Sequence, residues 1–120
     1  MTGILDYGTG NLRSVQKAFE FLGERAEISS ETSALDTCDR LILPGVGSFG
    51  QGMAALRARG LDIYVKSRAK DTPVLGICLG MQIAVIEFAR HVLGWADASS
   101  SEFSSTAHPV IDLMPDQVGV

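Results

Sequence analysis

One cysteine of this chain lies in a sequence pattern that suits nucleophilic chemistry. Cys78 is the centre of Gly-Ile-Cys-Leu-Gly at residues 76–80, the cysteine counterpart of the Gly-x-Ser-x-Gly nucleophile elbow. A tight turn from a strand into a helix would lift the thiol clear of a sheet, and the glycines would leave room for the crowded backbone. The helix N-terminus favours the reactive thiolate, and the N–H of Leu79 could donate to an oxyanion. The alternative is a small, buried, apolar cysteine.

A glycine-rich segment follows an apolar run earlier in the chain. Residues 43–50 read Leu-Pro-Gly-Val-Gly-Ser-Phe-Gly. Several glycines at the end of a strand can turn backbone N–H groups toward a reacting carbonyl. The alternative is an ordinary glycine-rich turn. A role in chemistry therefore requires that this segment lie beside Cys78.

Alternating strands and helices are predicted to position both segments. Short apolar runs bounded by turn residues predict strands at residues 3–6, 25–29, 40–43, 73–77 and 110–113. Helical spacing of apolar residues predicts helices at residues 12–22, 53–65 and 79–93. The expected fold is α/β, a doubly wound and mostly parallel sheet covered on both faces. Sites in such folds gather at the carboxyl ends of the strands.

The pattern also predicts helix ends and a core. Asn11 is expected to cap the first helix and Gly23 to end it. The helix at residues 79–93 is apolar on nearly every side and is therefore expected to be buried. Four large apolar side chains and one cysteine are expected to pack in the core: Phe19, Phe21, Met53, Phe88 and Cys38.

Composition excludes several classes of function. The chain has 120 residues, of which 46% are hydrophobic, so one globular domain is expected. A net charge of −4 argues against nucleic acid or an anionic membrane as partner. No run of about 18 apolar residues and no secretory leader is visible, so we expect a cytoplasmic protein. Two cysteines do not make a disulfide framework, and no zinc spacing or other cofactor motif is present.

Both glycine-containing motifs together resemble the class I glutamine amidotransferases. The resemblance rests on Leu-Pro-Gly-Val-Gly at residues 43–47 and Gly-Ile-Cys-Leu-Gly-Met-Gln at residues 76–82. It implies hydrolysis of glutamine through a cysteinyl thioester and transfer of ammonia to a synthase. It also implies a sheet with further strands, so the fold is expected to be incomplete at the C-terminus.

Two subfamilies are resembled by different parts of one partial domain spanning residues 1–120. Residues 1–79, with residues 4–15 as a marked stretch, resemble the glutaminase subunit of imidazole glycerol phosphate synthase. Residues 80–120 resemble the glutaminase domain of CTP synthase, notably at residues 83–94, 101–103 and 108–115. Residues 1–79 contain equal numbers of acidic and basic residues, whereas residues 80–120 contain one basic and five acidic residues. The sequence therefore predicts a hybrid chain.

The resemblance assigns roles in catalysis to individual residues. Cys78 is the implied nucleophile. The N–H groups of Leu79 and of either Val46 or Gly47 are the implied oxyanion hole.

Three further residues are implied to bind the substrate. Gly45 and Gln82 would contact glutamine. Glu102 would contact its amino-acid end, because a carboxylate can pair with the ammonium group. The alternative for Glu102 is a solvated charge on a loop.

One part of the family pattern is missing. Class I enzymes complete the site with a His-x-Glu pair, and this sequence contains none. His91 follows Cys78 by about 20 Å along the predicted helix axis, beyond hydrogen-bond reach. His108 matches a non-catalytic position of the CTP synthase-like segment. A positioned base contributes roughly 10²–10⁴-fold, so slow turnover is expected.

The leading interpretation is the glutaminase subunit of imidazole glycerol phosphate synthase. Its expected partners are glutamine and a cyclase or other synthase that receives ammonia, and residues 7–11 would approach that partner. Three alternatives stay open: a CTP synthase glutaminase segment, a non-catalytic binding fragment and an unrelated cysteine hydrolase. Missing strands would leave a sheet edge and apolar surface uncovered, which predicts association.

Overall fold

The structure, a computed structural model, describes residues 1–100 and the backbone of residues 109–111. The strands are β1 (Thr2–Leu5), β2 (Ala26–Ser29), β3 (Arg40–Gly45), β4 (Val74–Cys78), β5 (Ser99–Ser100) and β6 (Pro109–Ile111). The helices are α1 (Leu12–Phe21), α2 (Thr32–Leu35), α3 (Phe49–Ala58), α4 (Leu61–Arg68) and α5 (Leu79–His91). Strands and helices alternate along most of the chain, as expected for an α/β fold.

Four strands form one parallel sheet in the order β2-β1-β3-β4. From β1 the chain crosses to β2 on one side, and from β3 it crosses to β4 on the other. The direction of winding therefore reverses between β1 and β3, which is the topological switch point of a doubly wound sheet. The predicted fold class is confirmed. Strands β5 and β6 pair separately in a small parallel sheet.

The ends of the first helix follow the predicted signals. The side chain of Asn11 accepts a hydrogen bond from the Ser14 N–H at 3.3 Å and caps α1. Gly23 has φ +80° just after the helix, a conformation that glycine adopts at little cost. Both predictions are confirmed.

Four elements differ from the prediction. The helix expected at residues 53–65 is divided into α3 and α4 by Gly60, whose φ is +68°. The short elements α2 and β5 were not predicted because neither contains a full period of apolar residues. Of the strand predicted at 110–113, β6 includes residues 110–111, and residues 112–113 lie outside the described residues.

The main core lies between one face of the sheet and helices α3, α4 and α5. Side chains alternate along a strand, so Leu41 and Leu43 point to this face and Ile42 to the other. Cys38 is 4% exposed in this core, as predicted. The cluster of buried side chains comprises Leu5, Tyr7, Leu35, Cys38, Leu41, Leu43, Phe49, Met53, Leu56, Leu61, Leu79, Ile83 and Ile86.

The prediction that the last helix is buried on nearly every side is wrong. Ile83 and Ile86 of α5 are buried, but four apolar side chains on its other side are 40–66% exposed. We call these residues the outer stripe of α5: Met81, Val85, Phe88 and Val92. Within the described residues, α5 packs on β3, β4 and α3, and it also contacts β5 and β6. Among the described residues, the outer stripe is therefore left at least 40% exposed to solvent.

The second face of the sheet is also open at β4. Ile4, Ile42 and Leu75 are aligned across three strands, and the first two are buried while Leu75 is 55% exposed. Phe21 at the end of α1 is 90% exposed, which contradicts its predicted place in the core. Among the described helices none is long and apolar enough to cross a membrane.

Candidate active site

The backbone at Cys78 is strained in the manner of a nucleophile elbow. Cys78 is the last residue of β4 and the N-cap of α5, with φ +55° and ψ −121°. It is the one non-glycine residue with positive φ in the described part of the chain. Such strain persists where the surroundings over-determine it, and it clusters at functional sites. The thiol is exposed rather than buried.

The two flanking glycines are required by backbone packing. A Cβ atom on Gly76 would lie 2.5 Å from the carbonyl carbon of Gly80 and from the Cα of Met81. A Cβ atom on Gly80 would overlap the carbonyl oxygen of Leu43. The turn from β4 into α5 therefore packs backbone against backbone, which leaves no room for larger residues.

The glycine-rich segment after β3 lies beside this turn. Gly45 is aligned with Cys78 across the β3–β4 pair. A Cβ atom on Gly45 would lie 3.1 Å from the Cβ of Leu79 and 3.3 Å from the N of Gly80. The structure thus brings together the two motifs that sequence reasoning singled out.

Beyond Gly45 the chain turns into α3. Val46 is 59% exposed, and Gly47 has φ +93°. Ser48 then caps α3 by accepting a hydrogen bond from the Gln51 N–H at 3.4 Å. The segment is fixed at both ends, by the sheet at Gly45 and by the helix cap at Ser48.

The loop after β1 supports this segment from the opposite side of β3. The buried hydroxyl of Tyr7 donates to the carbonyl of Pro44, and burial raises the pKa of Tyr7 to about 12. The Thr9 hydroxyl donates to the Val46 carbonyl at 2.9 Å and accepts from the Val46 N–H at 3.3 Å. The sequence did not predict that either side chain supports the site, because residues 7–11 were expected only to approach a partner.

Two other predicted site residues can be placed relative to Cys78. Leu79, which is 3% exposed, is the first residue of α5, and N–H groups in the first turn of a helix have no partner within it. Gln82 lies one turn further and is half-buried. Glu102 and His108 lie outside the described residues.

His91 is at the far end of α5, as the sequence predicted. It is the last residue of the helix, its side chain is 60% exposed, and its Nε2 lies 2.9 Å from the Glu87 carboxylate. It contacts no part of the elbow described above. Among the described residues, no group of three metal-binding side chains occurs.

The arrangement suits attack by a thiolate on a carbonyl carbon. An exposed sulfur stands at a helix N-terminus, where negative charge is favoured. The glycine-rich segment after β3 and the turn after β4 lie side by side at the same edge of the sheet. Fold and site define an α/β protein of the nucleophile-elbow class.

Comparison with known proteins identifies the family. Residues 4–116 match the family described as "Glutamine amidotransferase class-I", so the chain belongs to this family. The resemblance found in the two glycine-containing motifs is confirmed.

The most similar curated relatives include one synthase subunit from two organisms. The chain is 48% identical over 88 residues to "Imidazole glycerol phosphate synthase subunit HisH" of Chlorobaculum tepidum, which covers 72% of this chain and 44% of that protein. It is 51% identical over 85 residues to the HisH subunit of Symbiobacterium thermophilum, covering 70% of this chain and 40% of that protein. The chain thus spans less than half the length of these relatives.

A solved structure of another amidotransferase has a similar fold. The glutaminase domain of Trypanosoma brucei CTPS, with bound acivicin, superposes with a TM-score of 0.65 and 27% identity. The match covers 96% of this chain and 50% of that chain. Relatives of both subfamilies are therefore found, while the assignment of each to residues 1–79 and 80–120 stays a prediction.

Proposed function

We propose that this chain carries the nucleophile half of a glutaminase that supplies ammonia to imidazole glycerol phosphate synthase. One observation carries the proposal: the exposed Cys78 is held at φ +55° at the start of α5, beside Gly45. The HisH relatives support the choice of synthase, because they match at 48–51% identity over most of this chain. The proposed substrate is glutamine and the proposed partner is a cyclase.

The proposed reaction has two steps. The Cys78 sulfur attacks the side-chain amide carbon of glutamine, and the carbonyl electron pair moves to oxygen. The N–H of Leu79 and an N–H of residues 46–47 stabilise this oxyanion. Its collapse breaks the C–N bond, and the nitrogen takes up the thiol proton and leaves as ammonia. Water then hydrolyses the thioester to glutamate and restores the thiol.

The proposed substrate contacts come from three places. Gly45 is aligned with Cys78 at the end of β3, and Gln82 belongs to the first turns of α5; both are proposed to contact glutamine. Glu102 is proposed to pair with the ammonium group of glutamine. The class I His-x-Glu pair is absent from the sequence, so we propose that this chain turns over slowly and reacts stoichiometrically more readily than catalytically.

Labelling with acivicin, the compound bound in the CTPS neighbour, tests the proposed nucleophile. We expect modification of Cys78 in the purified chain, detected by peptide mass spectrometry, and protection by glutamine. Cys78→Ser should abolish the labelling. Cys38→Ser is the matched control, because the second thiol is 4% exposed. Labelling that glutamine does not slow, or that persists in Cys78→Ser, would overturn the proposal.

An ammonia-release assay tests turnover and the choice of partner. Glutamine is incubated with the chain alone and with a separately purified cyclase subunit. We expect a rate about 10²–10⁴-fold below that of a glutaminase with a positioned base, and a rise when the cyclase is present. Cyclase binding without ammonia release in either case would instead identify a non-catalytic binding fragment.

A CTP synthase glutaminase segment is the second candidate. The CTPS match covers 96% of this chain, a larger share than the 72% covered by the first HisH relative. The hybrid chain, with a join near residues 79 and 80, stays a proposal. Stimulation of ammonia release by a CTP synthase synthetase domain, and not by a cyclase, would favour this candidate.

A further inference from the structure

Arg90, near the end of α5, contacts three separate parts of the chain. Its Nε donates a hydrogen bond to the Ala98 carbonyl at 2.6 Å. Its guanidinium carbon lies 5.6 Å from the centre of the Phe49 ring, within the range of a cation–π contact. Its Nη1 lies 3.9 Å from a carboxylate oxygen of Glu87, one turn earlier in the helix. One side chain thus joins α5 to the first residue of α3 and to the segment before β5.

The chain becomes buried at the point where Arg90 holds it. Residues 91–97 are exposed, whereas Ala98 and Ser99 are 0% and 1% exposed. Backbone polar groups that leave water need partners in the protein. The Arg90 side chain, itself 24% exposed, supplies the partner of the Ala98 carbonyl. Hydrogen bonds from a charged donor are stronger than neutral ones, so this contact should fix the entry into β5.

This entry point lies shortly before a residue that the proposed function uses. Both β5 and β6 contact α5, the helix that begins at Cys78. Two residues after β5 the sequence reaches Glu102, the proposed contact for the ammonium group of glutamine. Arg90 therefore fixes the chain just before the segment that carries a proposed substrate contact.

From these contacts we infer that Arg90 is a positioning residue for glutamine binding. It holds Ala98 against α3 and α5 and so sets where the chain enters the segment that carries Glu102. The inference rests on the proposed function, because it assigns Arg90 a role in binding the proposed substrate. Twelve residues of α5, about 18 Å of helix, separate Arg90 from Cys78. The reactivity of the free thiol should therefore not depend on Arg90.

Amide hydrogen exchange tests whether Arg90 holds the segment. Exchange is followed by mass spectrometry in wild type, Arg90→Met and Arg90→Lys, because methionine keeps the apolar stem and lysine keeps the charge without the planar fork. We expect exchange at residues 95–100 to be about tenfold faster in Arg90→Met, partly recovered in Arg90→Lys and unchanged in β1. Lys17→Met, which removes an exposed cation from α1, should change neither region. Unchanged exchange at residues 95–100, or equal acceleration in β1, would overturn the inference.

Protection of Cys78 by glutamine tests whether the segment serves substrate binding. Iodoacetamide alkylates the thiol, and the glutamine concentration that halves the rate is measured for each variant by peptide mass spectrometry. We expect this concentration to rise about tenfold in Arg90→Met and to recover in part in Arg90→Lys, as expected for the loss of about one charged contact. The rate without glutamine should change by less than about twofold. No rise, or a rate without glutamine that changes as much, would overturn the inference.

The variant Glu102→Gln tests whether Arg90 acts through the segment that follows β5. Residues that act through one another have non-additive effects. In the Glu102→Gln background, Arg90→Met should therefore raise the half-protecting glutamine concentration by less than about twofold. An undiminished tenfold rise would overturn the inference.

The wild-type chain separates this inference from the proposed function. If glutamine does not protect Cys78 in wild type, the glutaminase proposal fails, and the substrate role of Arg90 fails with it. If glutamine protects wild type and Arg90→Met equally, only the inference about Arg90 is overturned. In both cases the exchange measurement still shows whether Arg90 holds residues 95–100.

Discussion

The two sides of α5 are packed in opposite ways. At its start, Leu79 is 3% exposed and Gly80 is pressed against the Leu43 carbonyl. Along its outer stripe, Phe88 and Val92 are 53% and 66% exposed. One helix thus combines a tightly packed first turn with an apolar face that is 40–66% exposed among the described residues. Exposed apolar faces of this kind mark contact surfaces.

The comparison separates what makes the nucleophile from what surrounds it. The elbow depends on backbone-to-backbone contacts between β3, β4 and the first turn of α5. The solvent exposure of the outer stripe depends instead on which surface packs against it. Substitutions at the elbow should therefore change stability and thiol reactivity together, whereas substitutions on the stripe should change association alone. Four predictions test this separation, from the largest effect to the smallest.

Gly80→Ala should cause the largest loss. Its Cβ would overlap the backbone oxygen of Leu43, so α5 must shift away from β3. We expect the free energy of unfolding in urea to fall by about 3 kcal/mol, with reduced labelling of Cys78. Gly94→Ala is the control, because its Cβ meets nothing within 4 Å. Its positive φ alone should cost about 1 kcal/mol, and equal losses in both variants would contradict the steric account.

Glu87→Gln should have an intermediate effect. The Glu87 carboxylate is 15% exposed, and it lies 3.0 Å from Lys66 Nζ on α4 and 2.9 Å from His91 Nε2. Both partners are partly exposed, so loss of the charge should cost about 1 kcal/mol, nearer to a surface pair than to a buried one. Chemical denaturation measures it. The control is Glu24→Gln at an exposed position, which should change stability by less than about 0.5 kcal/mol. A similar change in both variants would contradict a stabilising role for the contacts of Glu87 with Lys66 and His91.

Tyr7→Phe should cost about 1 kcal/mol near neutral pH through the lost hydrogen bond to Pro44. It should also reduce the loss of stability at high pH. Burial raises the pKa of Tyr7 to about 12, while an unfolded tyrosine ionises near 10. Its contribution is therefore complete below pH 10 and is lost as the pH rises to about 12.

Tyr64→Phe is the matched control for this prediction. Burial, with a hydrogen bond to Asp36, also raises the pKa of Tyr64 to about 12, so both variants should flatten the alkaline decline measured by denaturation. Only Tyr7→Phe should slow the acivicin labelling of Cys78, since Tyr7 bonds to Pro44 whereas Tyr64 bonds to Thr32 and Asp36. An equal change in both variants would contradict the supporting role of Tyr7.

The double change Val85→Lys and Val92→Lys should have the smallest effect on stability. Both side chains are at least 40% exposed, so each should alter the unfolding free energy by less than about 0.5 kcal/mol. Light scattering should show less self-association at high concentration. Lysines at the exposed Ser14 and Ser67 add the same charge and should leave association unchanged. If they suppress it equally, net charge and not the apolar stripe is responsible.

The local signals of the sequence predicted the elbow well. Gly76 and Gly80 beside Cys78, together with an apolar run before them, specify a strand, a tight turn and a helix within one short segment. The sheet followed from the same logic, because alternating apolar runs and helical periods favour parallel strands. Cys38 was placed in the core correctly, as its neighbours carry no turn motif.

Features set by distant parts of the chain could not be predicted. Tyr7 and Thr9 each bond to residues 37 positions away, and no local pattern records such a partner. The exposure of Phe88 depends on a cover that composition cannot reveal. Gly60 was passed over because a glycine inside a periodic stretch can be tolerated as well as end a helix.

The contacts that hold the nucleophile lie early in the chain. The contacts found around the elbow come from the carboxyl ends of β1, β3 and β4, and they lie between Tyr7 and Met81. The position of the thiol therefore depends on segments far apart in the chain, and a substitution in any one of them should change its surroundings.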